Sequence, residues 1–243
     1  MLDGVTREAV KPLLDLQRVD SGVDRLRERR ANLPEQQELE ELNEQRAVVA
    51  AQHGEQGTQL DAIVREQTKL ETDIGLIEAK LKHERDRLYG GEISNPKELT
   101  SIQAELDALG RRKDHMEDQV LDLLEQREGM EAEVGGLKAQ LDDLDARIAD
   151  ATARHDAATV EIDRELGSLG AERERILPTL PAEAVALYED VRARKGGVAI
   201  GALEEGVCRA CGLPLSPAAR DEIRRSDEPL PRCENCRRML VVL

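Results

Sequence analysis

The sequence predicts a mainly α protein: a long antiparallel coiled-coil hairpin with a small cysteine-clamped domain at its C-terminal end. Three observations predict it. Apolar residues hold a 3–4 spacing over two long runs, a glycine- and proline-containing element separates the runs, and all four cysteines fall in two C-x-x-C pairs near the end. Composition agrees, because Tyr89 and Tyr188 are the only aromatics among 243 residues. The large rings that normally fill a globular core are missing. A chain rich in Ala, Glu, Leu and Arg suits long helices instead.

The elements follow in order. Residues 5–31 read as a first helix, with Leu16, Val19, Val23 and Leu26 along one face. Pro34, in ANLPEQQELEEL, breaks the arm near 32–34, with Asn32 placed to cap the next helix and Glu35 three residues later. From Leu39 the frame steps through Leu42, Arg46, Val49, His53, Gln56, Leu60, Ile63, Gln67, Leu70, Ile74, Ile77, Leu81 and Glu84 to Leu88. A second run starts at Leu99 and passes through Ile102, Leu106, Met116, Val134, Leu144 and Ile162, then Glu165, to Leu169. Sustained 3–4 spacing with charged flanks is the signature of a left-handed coiled coil. The isolated polar seam residues, among them His53, Gln56 and His155, read as register-setting.

Between the runs lies YGGEISNPKEL, residues 89–99, with the tip at 89–96. Gly90 and Gly91 end the first arm, Asn95 caps the second, Pro96 takes its first position and Glu98 completes a capping box. So short a connection between matched runs makes the arms antiparallel neighbours. Two unbroken arms of about 80 residues would extend roughly 120 Å. Pro178 ends the second arm, and 181–195 read as a short helix stopped by Gly196 and Gly197. The predicted organisation is therefore a helical hairpin over 1–178, a short helix and linker over 179–197, and a C-terminal domain over 198–243.

The net charge is −16, yet residues 200–243 carry seven basic and seven acidic side chains, so the excess acid lies in the helices. An acidic coiled coil repels phosphate backbones. No apolar run reaches the roughly 18 residues that span a bilayer, and no signal-peptide pattern opens the chain, so no membrane partner and a cytoplasmic location are expected. Thiols stay reduced in that compartment. There is no phosphate-binding glycine loop and no nucleophile–base constellation, so neither enzymatic activity nor a small-molecule substrate is expected.

The cysteines are Cys208 and Cys211, then Cys233 and Cys236, with 21 residues between the pairs. Each C-x-x-C turn sets two thiolates at the separation a tetrahedral zinc ion takes, with Zn–S near 2.3 Å. Two such turns predict one structural Zn²⁺ in a closed Cys₄ site, hence a zinc ribbon. The redox alternative would need a thioredoxin-like βαβ setting, which the sequence lacks. GGVAIGALEEGV and MLVVL read as strands, and Ser216-Pro217 opens a short helix between the knuckles. So small a domain without aromatics would draw much of its folding energy from the metal.

The hairpin tip with NPKEL at 95–99 and the closing run CENCRRMLVV resemble the bacterial coiled-coil plus C4 zinc-ribbon family. The resemblance covers essentially the whole chain, and the tip and final knuckle are its specific parts. In members from flagellated bacteria it implies a chaperone-like regulator of flagellar gene expression that contacts transcription components and RNA. Arg237 departs from the glycine common after the last cysteine.

Two kinds of function follow. In the first, an adaptor or scaffold engages a protein partner through a tip of Glu92, Ile93, Ser94, Asn95 and Lys97. Ile93 is an apolar residue at an apex, which either meets a partner or tucks against Leu88 or Leu99. In the second, the ribbon binds RNA or DNA through Arg224, Arg225, Arg237 and Arg238. That contact would be to phosphates and salt-sensitive. Without an aromatic to stack a base, the domain lacks the usual single-strand platform.

Overall fold

A computed structural model of the chain describes residues 4–91 and 94–243. Five α-helices and three strands follow in order: α1 (Leu13–Ala31), α2 (Pro34–Tyr89), α3 (Pro96–Ile176), α4 (Ala182–Arg194), β1 (Ile200–Glu204), β2 (Val207–Cys208), α5 (Pro217–Arg225) and β3 (Met239–Val242). Among the described residues, no helix is long and apolar enough to cross a membrane. Contacts divide the chain into two units, Glu38–Ala151 and Met1–Gln37 with Thr152–Leu243.

The unit Glu38–Ala151 is a helical hairpin made from α2 and α3. Its register is set by ion pairs across the arms: Arg46 with Asp145, Glu78 with Lys113 at 2.9 Å, and Lys80 with Glu105 at 2.6 Å. Two apolar layers seal the seam. Ile77, Leu81, Ile102, Leu106 and Met116 are buried together, as are Leu42, Leu144 and Ala151. The seam positions read from the heptads are buried or half-buried along α2, except Arg46, which reaches out to Asp145.

At the turn, Gly90 N–H donates to the Asp86 carbonyl and Gly91 takes φ of 77°. Asn95 Oδ1 accepts from Lys97 N–H, and Pro96 occupies the first helical position. The capping box expected at Glu98 is replaced by an ion pair, since its carboxylate faces Arg87 at 3.5 Å.

The second unit holds the rest. Here α1 starts at Leu13 and not near residue 5, because Pro12 supplies no N–H and stands at the N-cap; a 3-10 turn over Glu8–Val10 precedes it. Asn32 closes α1 and does not open α2: its Nδ2 donates to the Glu28 carbonyl and its backbone N–H to that of Arg29. α1 runs against the far part of α3, as Arg30–Asp163 at 2.5 Å and the Arg18–Glu172 pair show. Near the end of α3 the seam departs from the expected frame. Glu165 is exposed and Leu166 takes its place, so the spacing runs 158, 162, 166, 169. The seam thus moves over by one residue at this turn and regains the expected frame at Leu169.

The sheet order is β2-β1-β3, with β1 antiparallel to β2 and parallel to β3. β1 and β2 join through Glu205 and Gly206, both at positive φ (50° and 79°), as a two-residue type I′ turn requires. The strands alternate, so the two faces of the sheet serve different cores. Met239 and Val241 of β3, with Ile200, pack against Leu13, Leu16, Tyr188 and Val191 of α1 and α4. Leu240 turns the other way, onto Cys208, Cys233, Leu215 and Ile223.

Polar groups fasten this junction. Gln17, buried on the apolar face of α1, accepts at Oε1 from Ala199 N–H (2.6 Å) and donates from Nε2 to the Gly197 carbonyl (2.9 Å). Asp20, one turn on, accepts from the Tyr188 hydroxyl and from Arg173 Nε, each at 2.8 Å. Burial first, then that hydrogen bond, push the Tyr188 hydroxyl well above its ordinary pKa, so it remains a donor. Arg192 reaches Asp24 at 2.5 Å.

Gln17→Ala leaves the Ala199 N–H and Gly197 carbonyl unpaired in a buried site, so the variant should lose about 2 kcal/mol of stability. Urea unfolding followed by tyrosine fluorescence reads it, because Tyr188 is fully buried; an unchanged midpoint would show that Gln17 does not hold the linker.

Candidate metal centre

Two matching turns build the cysteine site. In the first, Cys208 N–H donates to the Leu213 carbonyl, and the Cys208 carbonyl accepts from Gly212 N–H at 2.8 Å. In the second, Cys233 N–H donates to the Arg238 carbonyl, and the Cys233 carbonyl accepts from Arg237 N–H at 2.9 Å. The same offsets recur, and the residue after the second cysteine is left-handed in both: Gly212 at φ 74° and Arg237 at φ 64°. Arginine thus performs the glycine's turn at a steric cost. Gly201 of β1 lets the first turn lie close, since a Cβ there would fall 2.6 Å from Ala210 N.

The four sulfurs converge. Cys208 and Cys236 Sγ are 4.0 Å apart, as are Cys211 and Cys233 Sγ, and all four lie within 4.8 Å of one another. A tetrahedron with 2.3 Å metal–sulfur bonds has edges of about 3.8 Å, whereas a disulfide requires about 2.05 Å. The cysteines are free thiols, and the donor set fits a metal ion. Cys208 and Cys233 are fully buried; Cys211 and Cys236 are half-buried.

Their electrostatics follow from that placement. Burial pushes the Cys208 thiol up to about 12, against backbone N–H groups of Cys211 and Ala210 that favour its thiolate. Cys233 is raised likewise by burial, opposed by the N–H groups of Cys236 and Asn235. Burial also pushes Cys236 up, but the Arg238 N–H and the neighbouring sulfurs outweigh it and bring it down to about 7. Each turn therefore aims N–H dipoles at sulfurs that a cation would hold as thiolates.

The residues between the second pair of cysteines lock the two turns together. Glu234 accepts from Ser216 N–H at 2.5 Å and from its hydroxyl at 3.1 Å, while Ser216 Oγ caps α5 by accepting from Ala219 N–H. Asn235 Nδ2 donates to the Pro214 carbonyl. Arg7, near the chain start, donates to the carbonyls of Ile223, Ser226 and Glu228 at the end of α5. None of these partners was legible from spacing. Glu234 and Asn235 are only the variable positions of C-x-x-C, and Arg7 lies more than 200 residues away.

The arginines considered for nucleic acid have different surroundings. Arg224 is exposed, with Asp221 at 3.9 Å. Arg225 and Arg237 are also exposed. Arg238 turns inward, donating to the carbonyls of Val198 at 2.8 Å and Lys195 at 3.1 Å, and so ties the last turn to the end of α4. At the tip, Ser94, Asn95 and Lys97 are exposed, and so is Tyr89, at 80%. Glu92 and Ile93 lie outside the described residues.

A long helical hairpin followed by a strand region with four clustered cysteines defines a coiled-coil protein with a candidate metal centre. Residues 16–196 match the CT398-like coiled coil hairpin domain, and the chain belongs to that family. The match ends before the cysteines. The chain is 27% identical to an uncharacterized protein of Mycobacterium tuberculosis over 250 residues, covering 100% of this chain and 98% of that one. A solved structure from Mycobacterium smegmatis superposes with a TM-score of 0.84 at 29% identity, covering 98% of this chain and all of that one. CT398 from Chlamydia trachomatis, at 20% identity and TM-score 0.67, covers 97% and 98% of the respective chains and shows the shared fold.

Replacing Arg237 by glycine removes the left-handed penalty, so Arg237→Gly should raise stability by about 1 kcal/mol. Thermal unfolding of metal-loaded protein measures it. A fall instead would mean that the arginine side chain contributes more than the turn costs.

Proposed function

We propose that the chain is a non-enzymatic adaptor: a coiled-coil hairpin carrying a structural Zn²⁺ in a C4 ribbon and acting by binding another protein. The convergence of four cysteine sulfurs carries the zinc reading. All-sulfur donors favour zinc over calcium or magnesium, which take oxygen. With the ion bound, every corner of the tetrahedron would be a protein thiolate, and catalytic zinc needs an open one. When bound, the ion supplies a cross-link between two turns that few apolar contacts hold. Cys208, Cys211, Cys233 and Cys236 would be its ligands, and Glu234, Asn235 and Arg7 position the segments that present them.

Charge and exposure support a protein partner. The hairpin unit holds 28 Asp/Glu against 14 Lys/Arg, leaving the second unit close to balance. An acidic hairpin of this kind disfavours nucleic acid along its length. Its tip presents Tyr89, an aromatic of the kind interfaces favour, and an exposed Lys97. The nucleic-acid alternative retains Arg224, Arg225 and Arg237, while Arg238 has a structural role.

Elemental analysis of reduced protein should find one zinc per chain, and none in Cys208→Ser. The metal should be released as pH falls, because protons compete for the thiolates, with the buried Cys208 and Cys233 regaining theirs most readily. Metal retained in that variant or lost only at high pH would overturn the zinc reading. For the adaptor, Tyr89→Ser with Lys97→Glu should abolish a protein association that the wild type shows. Salt-sensitive RNA or DNA binding, lost on Arg224→Ala, Arg225→Ala and Arg237→Ala yet kept by the tip variant, would place the function in the ribbon instead.

A further inference from the structure

We infer that the hairpin unit contains a built-in joint at Gly54, Gly57, Gly135 and Gly136, where the arms bend and part more readily than on either side. The register brings these glycines together. Stepping eight residues along α2 from Arg46 to Gly54 returns α3 from Asp145 to Leu137, and Gly57 stands level with Val134. On that pairing Gly135 and Gly136 fall in the same stretch of the hairpin as Gly54 and Gly57. Glu78–Lys113 repeats that alignment, whereas Lys80–Glu105 and Arg87–Glu98 pair residues six positions closer to the turn, so the glycines share one stretch of the hairpin to within about two helical turns. Gly129 follows two turns along α3.

Nothing in the packing asks for glycine here. A Cβ added at Gly54, Gly57, Gly129, Gly135 or Gly136 meets no atom within 4 Å, and all five lie in helix without positive φ. The residues neither open room for a close approach nor relieve a strained turn. What remains is their backbone freedom, which shifts the local helix–coil balance toward coil by about fivefold per residue against alanine.

Two independent features weaken the same stretch. From 43 to 66 on α2 and from 117 to 143 on α3 no side chain is fully buried, although Leu60, Ile63, Met130, Val134 and Leu137 occupy seam positions. The sealed layers lie to either side, at Leu42–Leu144 and at Ile77–Met116. In the seam between them, Gln56 keeps a buried Oε1 without a hydrogen-bond partner. Gly75 and Gly110, by contrast, lie among buried layers. The hairpin thus alternates a stiff layer, a soft joint and a second stiff layer, a device that lets the part bearing the tip swing to meet a partner.

Hydrogen exchange of the full metal-loaded chain, read by mass spectrometry, tests this. Peptides covering 50–60 and 128–140 should exchange at least tenfold faster than those covering 70–84 and 102–116. Replacing Gly54, Gly57, Gly135 and Gly136 together by alanine should slow exchange in the first pair at least tenfold and leave the second pair unchanged. Gln56→Leu should slow the 50–60 peptide by filling the seam and removing the unpaired carbonyl. Equal protection along the wild-type hairpin would overturn the inference, as would a quadruple variant that folds with the same helix content but unchanged exchange at 50–60 and 128–140.

Discussion

The parallel pairing of β1 with β3 is the constraint on which the second unit depends. Four consecutive pairs, from Ile200–Met239 to Leu203–Val242, bring the last residues of the chain beside the segment that leaves α4. Because side chains alternate along a strand, this register points Met239 and Val241 at the helices and Leu240 at the cysteines. A slip of one residue would exchange those faces and separate both cores from their contents. The knuckles thus inherit their placement from a sheet whose other face is sealed by α1 and α4.

That junction is small, and the chain has almost no aromatics with which to enlarge it. Its solution is to bury polar side chains that are fully engaged. Gln17 satisfies backbone groups on both sides of the linker. Tyr188, wholly buried, gives its hydroxyl to Asp20, which also holds Arg173. Arg7 and Arg238 collect carbonyls at the ends of α5 and α4. Each contact is directional, so together they specify one arrangement where apolar contacts alone would tolerate several.

Within the hairpin unit the same economy works in reverse. Seam residues at 3–4 spacing bring the arms together, yet full burial is confined to two layers. Between them the seam carries only half-buried residues, with glycines next to it in the chain, so register is maintained by the layers and ion pairs outside. A coiled coil can afford such a stretch because each heptad contributes locally.

The sequence by itself determined the hairpin, its turn and the cysteine pairing into two turns, because these depend on local rules: hydrophobic period, capping chemistry and ligand spacing. The Asn95-Pro96 helix start and the Ser216-Pro217 start of α5 were legible for the same reason. Asn32 was misread because Asn serves at either end of a helix, and only its bond to Glu28 shows which. The one-residue shift to Leu166 escaped because Glu165 also satisfied the expected step. Tertiary structure alone decided the roles of Gln17, Asp20, Arg7 and Arg238, whose partners lie from 40 to more than 200 residues away. It likewise brought four glycines from two arms into one stretch of the hairpin. Contacts between distant segments depend on how helices and strands pack in space, and no local period carries that information.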